Sequence, residues 1–284
     1  MILQPRDESL LRTLSRYGVL STRQISRHSF LGISHTTMMR RLRLLEENDF
    51  IVRIKGLDEG LSAWRTGSVG ARQVGEELPF RYSNQNQTLH DVTLSEVRIR
   101  LESLGYASDW TGELTVKRQQ GARNFKSQVN ERVIPDGIFT ALYRDTPCVI
   151  AAELELHAKA KVRYEKLLKQ YAAKTAIDFV WYIVRTPSIG ALISDTWQSI
   201  PSYLKSENTP SLGYTLLDDV LTNSTEMKLH RPQGREEIRF REVFAPPVEV
   251  SPAESPGSVS SEIQFAPPDQ TPAQPMSIEN IQSV

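Results

Sequence analysis

The chain has 284 residues, of which 39% are hydrophobic and 24% charged, and its 34 Lys and Arg balance 34 Asp and Glu. That is room for one large folded domain or two modest ones, and the single cysteine, Cys148, excludes a disulfide framework or a cysteine zinc site. No apolar run approaches the roughly 18 residues of a membrane helix, and MILQPRDES lacks a basic-then-apolar leader, so a cytoplasmic location is expected. The neutral total hides an asymmetry. Residues 1–86 carry 13 Lys or Arg against 9 acids, residues 21–45 carry five Arg and no acid, and the stretch from Ala245 carries five acids and no Lys or Arg. A basic head with an acidic tail is compatible with nucleic-acid binding.

In chain order, residues 7–17 predict an amphipathic helix with Leu10, Leu11 and Leu14 on one side, stopped by Gly18. Ser21 is placed to cap a second helix, STRQISRH. Ser34 is placed to cap a third, SHTTMMRRLRLLEEN, with Met38, Leu42 and Leu45 at helical spacing. FIVRIKG and LSAWRTG read as two short strands around the turn-rich LDEG, and SVGARQVGEEL as a further short helix. Three helices and a β-wing in this order spell a winged helix-turn-helix over residues 1–86.

YSNQNQ is a polar linker, and LHDVTLSEVRIRLESLG predicts a long helix ended by Gly105. ASDWTGELTVKR, VIPDGIFTALYR and TPCVIAAELEL read as strands, the last two separated by a turn at RDTP. A basic helix over 157–174, an apolar strand IDFVWYIVRT, a helix SIGALISDTWQSIPSYL and a last strand LGYTLLDDV follow. The expected fold of residues 87–244 is therefore α/β (α+β), a mixed sheet with flanking helices. From Ala245 to Val284, eight of the last 40 residues are Pro, and this acidic, Pro- and Ser-rich tail is expected to be disordered.

In a helix-turn-helix the second helix of the motif enters the major groove. Its groove-facing candidates here are His35, Thr36, Thr37, Arg40 and Arg41, with Arg43 nearby. Arg23 and Arg27 on the preceding helix would lie near the DNA backbone, and Arg53 and Lys55 on the wing. The same pattern of helices also serves protein–protein contacts, and an Arg-rich helix face is often simply solvated.

Pro135-Asp136-Gly137 precedes a strand, a turn and a second strand ending Glu153-Leu154-Glu155. Two residues apart on a strand, Glu153 and Glu155 point to one face. A hairpin around RDTP would bring Asp136 close to both. Three carboxylates together repel unless a cation lies between them, and hard oxygen ligands select Mg²⁺ or Mn²⁺. Asp-Gly is also a common turn pair, and two Glu also suit a solvated strand end.

The order helix, three strands, helix, strand, with Pro-Asp on the middle strand and an acidic pair on the third, resembles the PD-(D/E)xK nucleases, the restriction-endonuclease-like group. Glu155 stands where that motif has Lys. The resemblance implies that a lysine of the following helix takes the role, with Lys161 and Lys166 as candidates and Lys159 behind them, and that Glu96 on the first helix completes a metal site of Asp136, Glu153 and Glu155. A winged helix followed by LHDVTLSEVR, PDG, ELE and a basic helix is further similar to the MobC-type (MOBC) plasmid mobilisation relaxases and the broader replication-relaxation group. That resemblance implies a metal-dependent endonuclease nicking one strand at a plasmid transfer origin, with His90, Asp136, Glu153 and Glu155 as site residues. Its implied partners are the origin duplex and nicked strand, an accessory mobilisation protein and a coupling ATPase. The five His have no HxH spacing, which agrees with a relaxase that uses no tyrosine/histidine-cluster centre. Tyr17, Tyr82, Tyr164 and Tyr171 lie in regions of interest, but Tyr164 and Tyr171, seven apart, suit packing. The alternatives are a non-catalytic DNA-binding regulator of plasmid replication or mobilisation on a nuclease-like scaffold, and a restriction or repair nuclease.

Overall fold

The structure, a computed structural model, describes residues 1–54, 62–75, 85–113, 115–117, 133–174, 176–232 and 237–247. Lys55, Tyr82, the first half of the linker (82–84) and the tail from residue 248 lie outside the described residues.

Helix α1 (Pro5–Tyr17) starts with Pro in its first turn and acids Asp7 and Glu8 behind it, both suited to a helix N-terminus. Gly18, at φ 82°, ends it. Ser21 accepts from Gln24 N (3.2 Å) while Gln24 Oε1 accepts from Ser21 N (2.7 Å), a capping box that starts α2 (Thr22–Ser29). Ser34 Oγ accepts from Thr37 N (3.3 Å) and starts α3 (His35–Glu47). Both caps are the serines expected from sequence. Strands β1 (Val19–Ser21), β2 (Ile51–Ile54) and β3 (Ala63–Thr66) form an antiparallel sheet in the order β1-β3-β2. The first of these was not anticipated. Three residues between two helices are too short for a readable period. Leu10, Leu11, Leu14, Met38, Leu42 and Leu45 are fully buried, with Trp64 and Phe50 among the residues closing the core. Helix α4 (Ser68–Gln73) follows.

Helix α5 (Gln85–Ser103) is shared between this head and the rest of the chain. Ser95 Oγ lies 2.9 Å from Val19 O and 3.0 Å from Tyr17 O, and Val97 and Leu101 enter the core of the larger sheet. That sheet has five strands in the order β4-β5-β6-β7-β8: β4 (Thr111–Gly112), β5 (Gly137–Tyr143), β6 (Thr146–Glu155), β7 (Phe179–Val184) and β8 (Ser211–Leu216). Strands β4, β5 and β6 run antiparallel, while β6, β7 and β8 run parallel. Helix α6 (Lys161–Ala172) and helix α7 (Pro187–Gln198) make the parallel crossovers and cover one face. The opposite face holds Trp110, Phe139, Trp181, Phe240 and Phe244. No helix among the described residues is long and apolar enough to cross a membrane.

Four expectations change, the first being the helix expected over 188–204, which ends at Gln198, with Pro201 ahead of a separate 3-10 turn at Ser202–Leu204. ASDWTGELTVKR forms only the two-residue β4, and Glu113 and residues 115–117 turn helical. There Glu113 and Lys117 pair across one turn, a local bond that a strand does not offer. The basic helix begins at Lys161, not 157, leaving Leu156–Ala160 as a non-helical connection. The last strand stops at Leu216, where Asp218 and Asp219 open α8 (Leu217–Thr222) at the end where a helix favours negative charge. Two short strands, β9 (Lys228–Leu229) and β10 (Ile238–Arg239), then pair, and α9 (Phe240–Val243) packs Phe240 into the core. Ala245 bridges to Leu142 on β5.

Candidate functional site

The β5–β6 hairpin turns at Arg144 (φ 47°) and Asp145 (φ 64°), both left-handed, as a two-residue turn joining twisted strands requires. Pro147 already sits on β6, opposite Leu142. This register sets Gly137 opposite Ala152, so Asp136 and Glu153 are the next residues outward on the two strands. The other end of Asp136 is fixed by packing. A Cβ on Gly137 would lie 1.9 Å from Trp110 Cζ2, so the indole occupies the space any side chain would need. Asp136 O accepts from Glu113 N (3.2 Å).

Strand parity separates the acids from their neighbours. Leu154 points into the core on the α5 side, whereas Glu153 and Glu155 share the opposite face with Ala151, beneath α6. On that face Tyr171 of α6 donates to Glu153 Oε1. Glu155 is 3% exposed, and the Lys159 ammonium closes on its Oε1. The carboxylate of Asp136 accepts through Oδ2 from Leu154 N (2.8 Å) and lies 3.1 Å from His90 Nε2. His90 Nε2 is also 3.2 Å from Leu154 O, and its Nδ1 is 3.1 Å from Asp91 Oδ1.

The electrostatics follow from this crowding. Burial works against the charged form of His90, but the Asp136 and Asp91 carboxylates outweigh it and push the imidazole up to about 10. At neutral pH His90 is a fixed cation beside Asp136 and a poor proton carrier. Burial pushes Glu153 well above the usual carboxylate range and the Asp136 charge adds to it. Burial also raises Glu155, with Lys159 opposing. Like charges gathered in a half-buried place are a recurrent mark of functional sites.

His90, Asp136, Glu153 and Glu155 are thus brought to one end of the sheet. Lys161 and Lys166 are exposed on α6, and neither bonds the acids. Lys159, in the connection before the helix, does so instead. Glu96 does not join the site. Its Oε2 accepts from Gln24 Nε2 (3.0 Å) and Arg27 Nη2 (2.7 Å), tying α5 to the head. Among the described residues no group of three or more His, Cys, Asp or Glu is arranged to hold a metal ion. The three acids do not converge as a closed cage, because Glu153 turns to Tyr171 and Glu155 to Lys159. Tyr171 was expected only to pack, and its hydroxyl bond was not legible at helical spacing.

On the head, Arg23, His35, Thr36, Thr37, Arg40 and Arg43 are exposed. Arg40 and Arg43, with Arg6, Arg41, Thr37 and Phe30, line a groove of about 490 Å³. Arg6, missed in sequence because it precedes the motif, lies 5.6 Å over the Phe30 ring. Arg41 is not a free groove-facing cation. It holds the fully buried Asp7 through Nε (2.9 Å) and Nη2. Arg27 is engaged by Glu96. Arg53 donates to Ser62 Oγ (2.8 Å) and lies over Trp64.

No protein-family model matches the chain, and no curated protein matches it. Among solved structures it is similar to the restriction endonuclease FokI, at a TM-score of 0.30 and 10% identity over 76% of this chain. The chain spans 42% of the FokI chain. A likeness that loose adds no weight to any reading of activity.

Proposed function

We propose that this chain is a metal-dependent DNA endonuclease in which a winged helix-turn-helix (α1 to β3) presents duplex DNA to a PD-(D/E)xK-like site on the five-stranded sheet. The observation that carries this reading is the state of the acids. Asp136, Glu153 and Glu155 each use one carboxylate oxygen in hydrogen bonds and leave the other without a protein partner among the described residues. Mg²⁺ fits such a place, because it takes one or two carboxylates and keeps waters and substrate phosphate as its remaining ligands. Asp136 and Glu153, adjacent across the hairpin, would hold it, and the cation supplies charge neutralisation for the phosphodiester and an acidified water.

The chain's own residues do the rest. His90 and Leu154 N hold one Asp136 oxygen and leave the other for the cation. Lys159, anchored by Glu155, offers an ammonium to the charge that develops on a phosphate oxygen. Exposed Arg40 and Arg43, with His35, Thr36 and Thr37, meet the DNA groove and backbone. The finer reading, a MobC-type relaxase nicking one strand at a plasmid transfer origin with an accessory protein and a coupling ATPase, rests on the sequence resemblance alone.

A second reading is favoured by one observation. Glu155 stands at the motif's Lys position and its charge is taken up by Lys159, as expected of a scaffold that binds DNA as a regulator without cutting. Incubating the protein with supercoiled plasmid carrying its own transfer origin decides between them. Relaxed circles that require Mg²⁺ or Mn²⁺, and are lost with Asp136→Ala or Glu153→Ala, support nicking at the origin. Linear product supports a restriction-type nuclease. Retarded but uncut plasmid at every metal concentration rejects the enzyme.

A further inference from the structure

Behind Glu153 lies a feature that the cleavage reading leaves unused. Tyr182 on β7 stands in register with Glu153 on β6 and belongs to the same buried face as Tyr164 and Tyr171. It is 1% exposed, and its hydroxyl is buried with no hydrogen-bond partner among the described residues. Buried hydroxyls are almost always paired, so an orphan on the strand next to Glu153 calls for a water or ion as its partner. Glu153 and Glu155 lie on the same face of the sheet as Tyr182, Glu153 directly opposite it in the register. A phenol O–H braces a carboxylate without cancelling the charge a cation would need.

We propose that Tyr171 and Tyr182 are positioning residues, a pair of hydroxyls from α6 and β7 that together hold the Glu153 carboxylate and its ligand water in the geometry that binds a divalent cation with Asp136. Tyr171 already donates to Glu153 Oε1. The Tyr182 hydroxyl completes its hydrogen bond when the cation brings water to Glu153. The inference rests on the cation reading above. Groups that orient metal ligands from behind in this way are worth about 10–100-fold in metal affinity.

The test is titration of the full-length protein with Mn²⁺ alone, followed by the electron-spin resonance of free Mn²⁺, in the wild type, Tyr171→Phe, Tyr182→Phe, Glu153→Gln and Tyr171→Phe/Glu153→Gln. Thermal melts are run without metal. The expected result is a loss of about 10–100-fold in Mn²⁺ affinity for Tyr171→Phe and of about tenfold for Tyr182→Phe. Tyr182→Phe should melt at or above the wild-type temperature without metal, because the change removes an unpaired buried hydroxyl. In the Glu153→Gln background, Tyr171→Phe should cost nothing further. Affinities within twofold of wild type in both single variants overturn the inference while leaving the cation site standing, as does a further full loss in the double variant. A wild type that binds no Mn²⁺ overturns the cation reading and this inference with it.

Discussion

The Lys159 ammonium closes on the Glu155 carboxylate from four residues away, in the non-helical connection between β6 and α6. The pair sets an ammonium against the residue that stands at the Lys position of the motif proposed for this strand. It also separates Lys159 from Lys161 and Lys166, which are exposed and do not reach the acids. Lys159→Met is expected to lower the proposed metal-dependent strand cleavage by about 10²–10³-fold, the usual cost of removing one charge-stabilising group. DNA retention should be unchanged. Lys161→Ala and Lys166→Ala should cleave like the wild type. Single-turnover relaxation of supercoiled plasmid by the three variants measures this, and equal defects in all three would remove Lys159 from the site.

Arg41 and its neighbours on α3 separate two roles that look alike in sequence. Arg41→Ala leaves the Asp7 carboxylate, fully buried, without its guanidinium. Breaking a buried pair in this way costs about 3–5 kcal/mol, and the low end applies because Gln4 N still donates to Asp7. Arg40→Ala and Arg43→Ala should leave stability within about 0.5 kcal/mol, as is usual for exposed sites. Each should instead lower the salt slope of duplex binding by about one. Arg6→Ala should behave like them, since Arg6 lines the same groove. Urea unfolding and binding titrations at several salt concentrations test both halves. A stable Arg41→Ala protein with a lowered slope would reverse the assignment.

How much of this was legible in the sequence depends on how local each cause is. Ser21 and Ser34 announce their helices because a cap is made within three residues. The hairpin and the shared face of Glu153 and Glu155 follow from strand alternation alone. Glu96 and Arg41 were misplaced for the opposite reason. Their partners, Gln24 with Arg27 and Asp7, lie 72, 69 and 34 residues away, and no local pattern tells a solvated charge from one that a tertiary contact will claim. The same holds for Tyr171 and Tyr182. Their spacing fits core packing, and only the tertiary fold shows that the Tyr171 hydroxyl bonds Glu153 and that Tyr182 stands beside Glu153 in the sheet register.

Cys148 is 4% exposed on β6, and burial, followed by the Asp178 charge, pushes its thiol from 9.0 up to about 12. A raised thiol pKa means the folded state favours the protonated form. Its contribution to stability is complete below pH 9 and is lost as pH rises through about 12. Between pH 7 and 9 the folded protein therefore holds a thiol and not the reactive thiolate. An aromatic disulfide reagent at pH 8 should leave Cys148 untouched in native buffer and react fully in denaturant, making its rate a direct reading of opening. Rapid stoichiometric labelling of the native protein would show that the β5–β6 hairpin is not packed as described.

Gly137 connects packing to the proposed chemistry most sharply, since Asp136 precedes it and Trp110 lies over it. A methyl group there would meet the indole at 1.9–2.5 Å, with Cζ2, Cε2 and Cη2 all in the way. Trp110 stacks on Phe139 at 5.7 Å between centroids, and Phe139 meets Trp181 edge-on, so the ring is backed by the aromatic core. Overpacking of this kind typically costs about 1–3 kcal/mol. Relief by backbone movement would shift Asp136 away from His90 and Leu154 N, where 3.1 Å and 2.8 Å contacts leave little tolerance. Gly137→Ala is therefore expected to lower the urea midpoint and to weaken Mn²⁺ binding together. Trp110→Phe in the same chain, which removes the benzo ring that blocks the site, should restore part of both. A Gly137→Ala protein with wild-type stability and Mn²⁺ affinity would mean that the indole does not hold Asp136 in place.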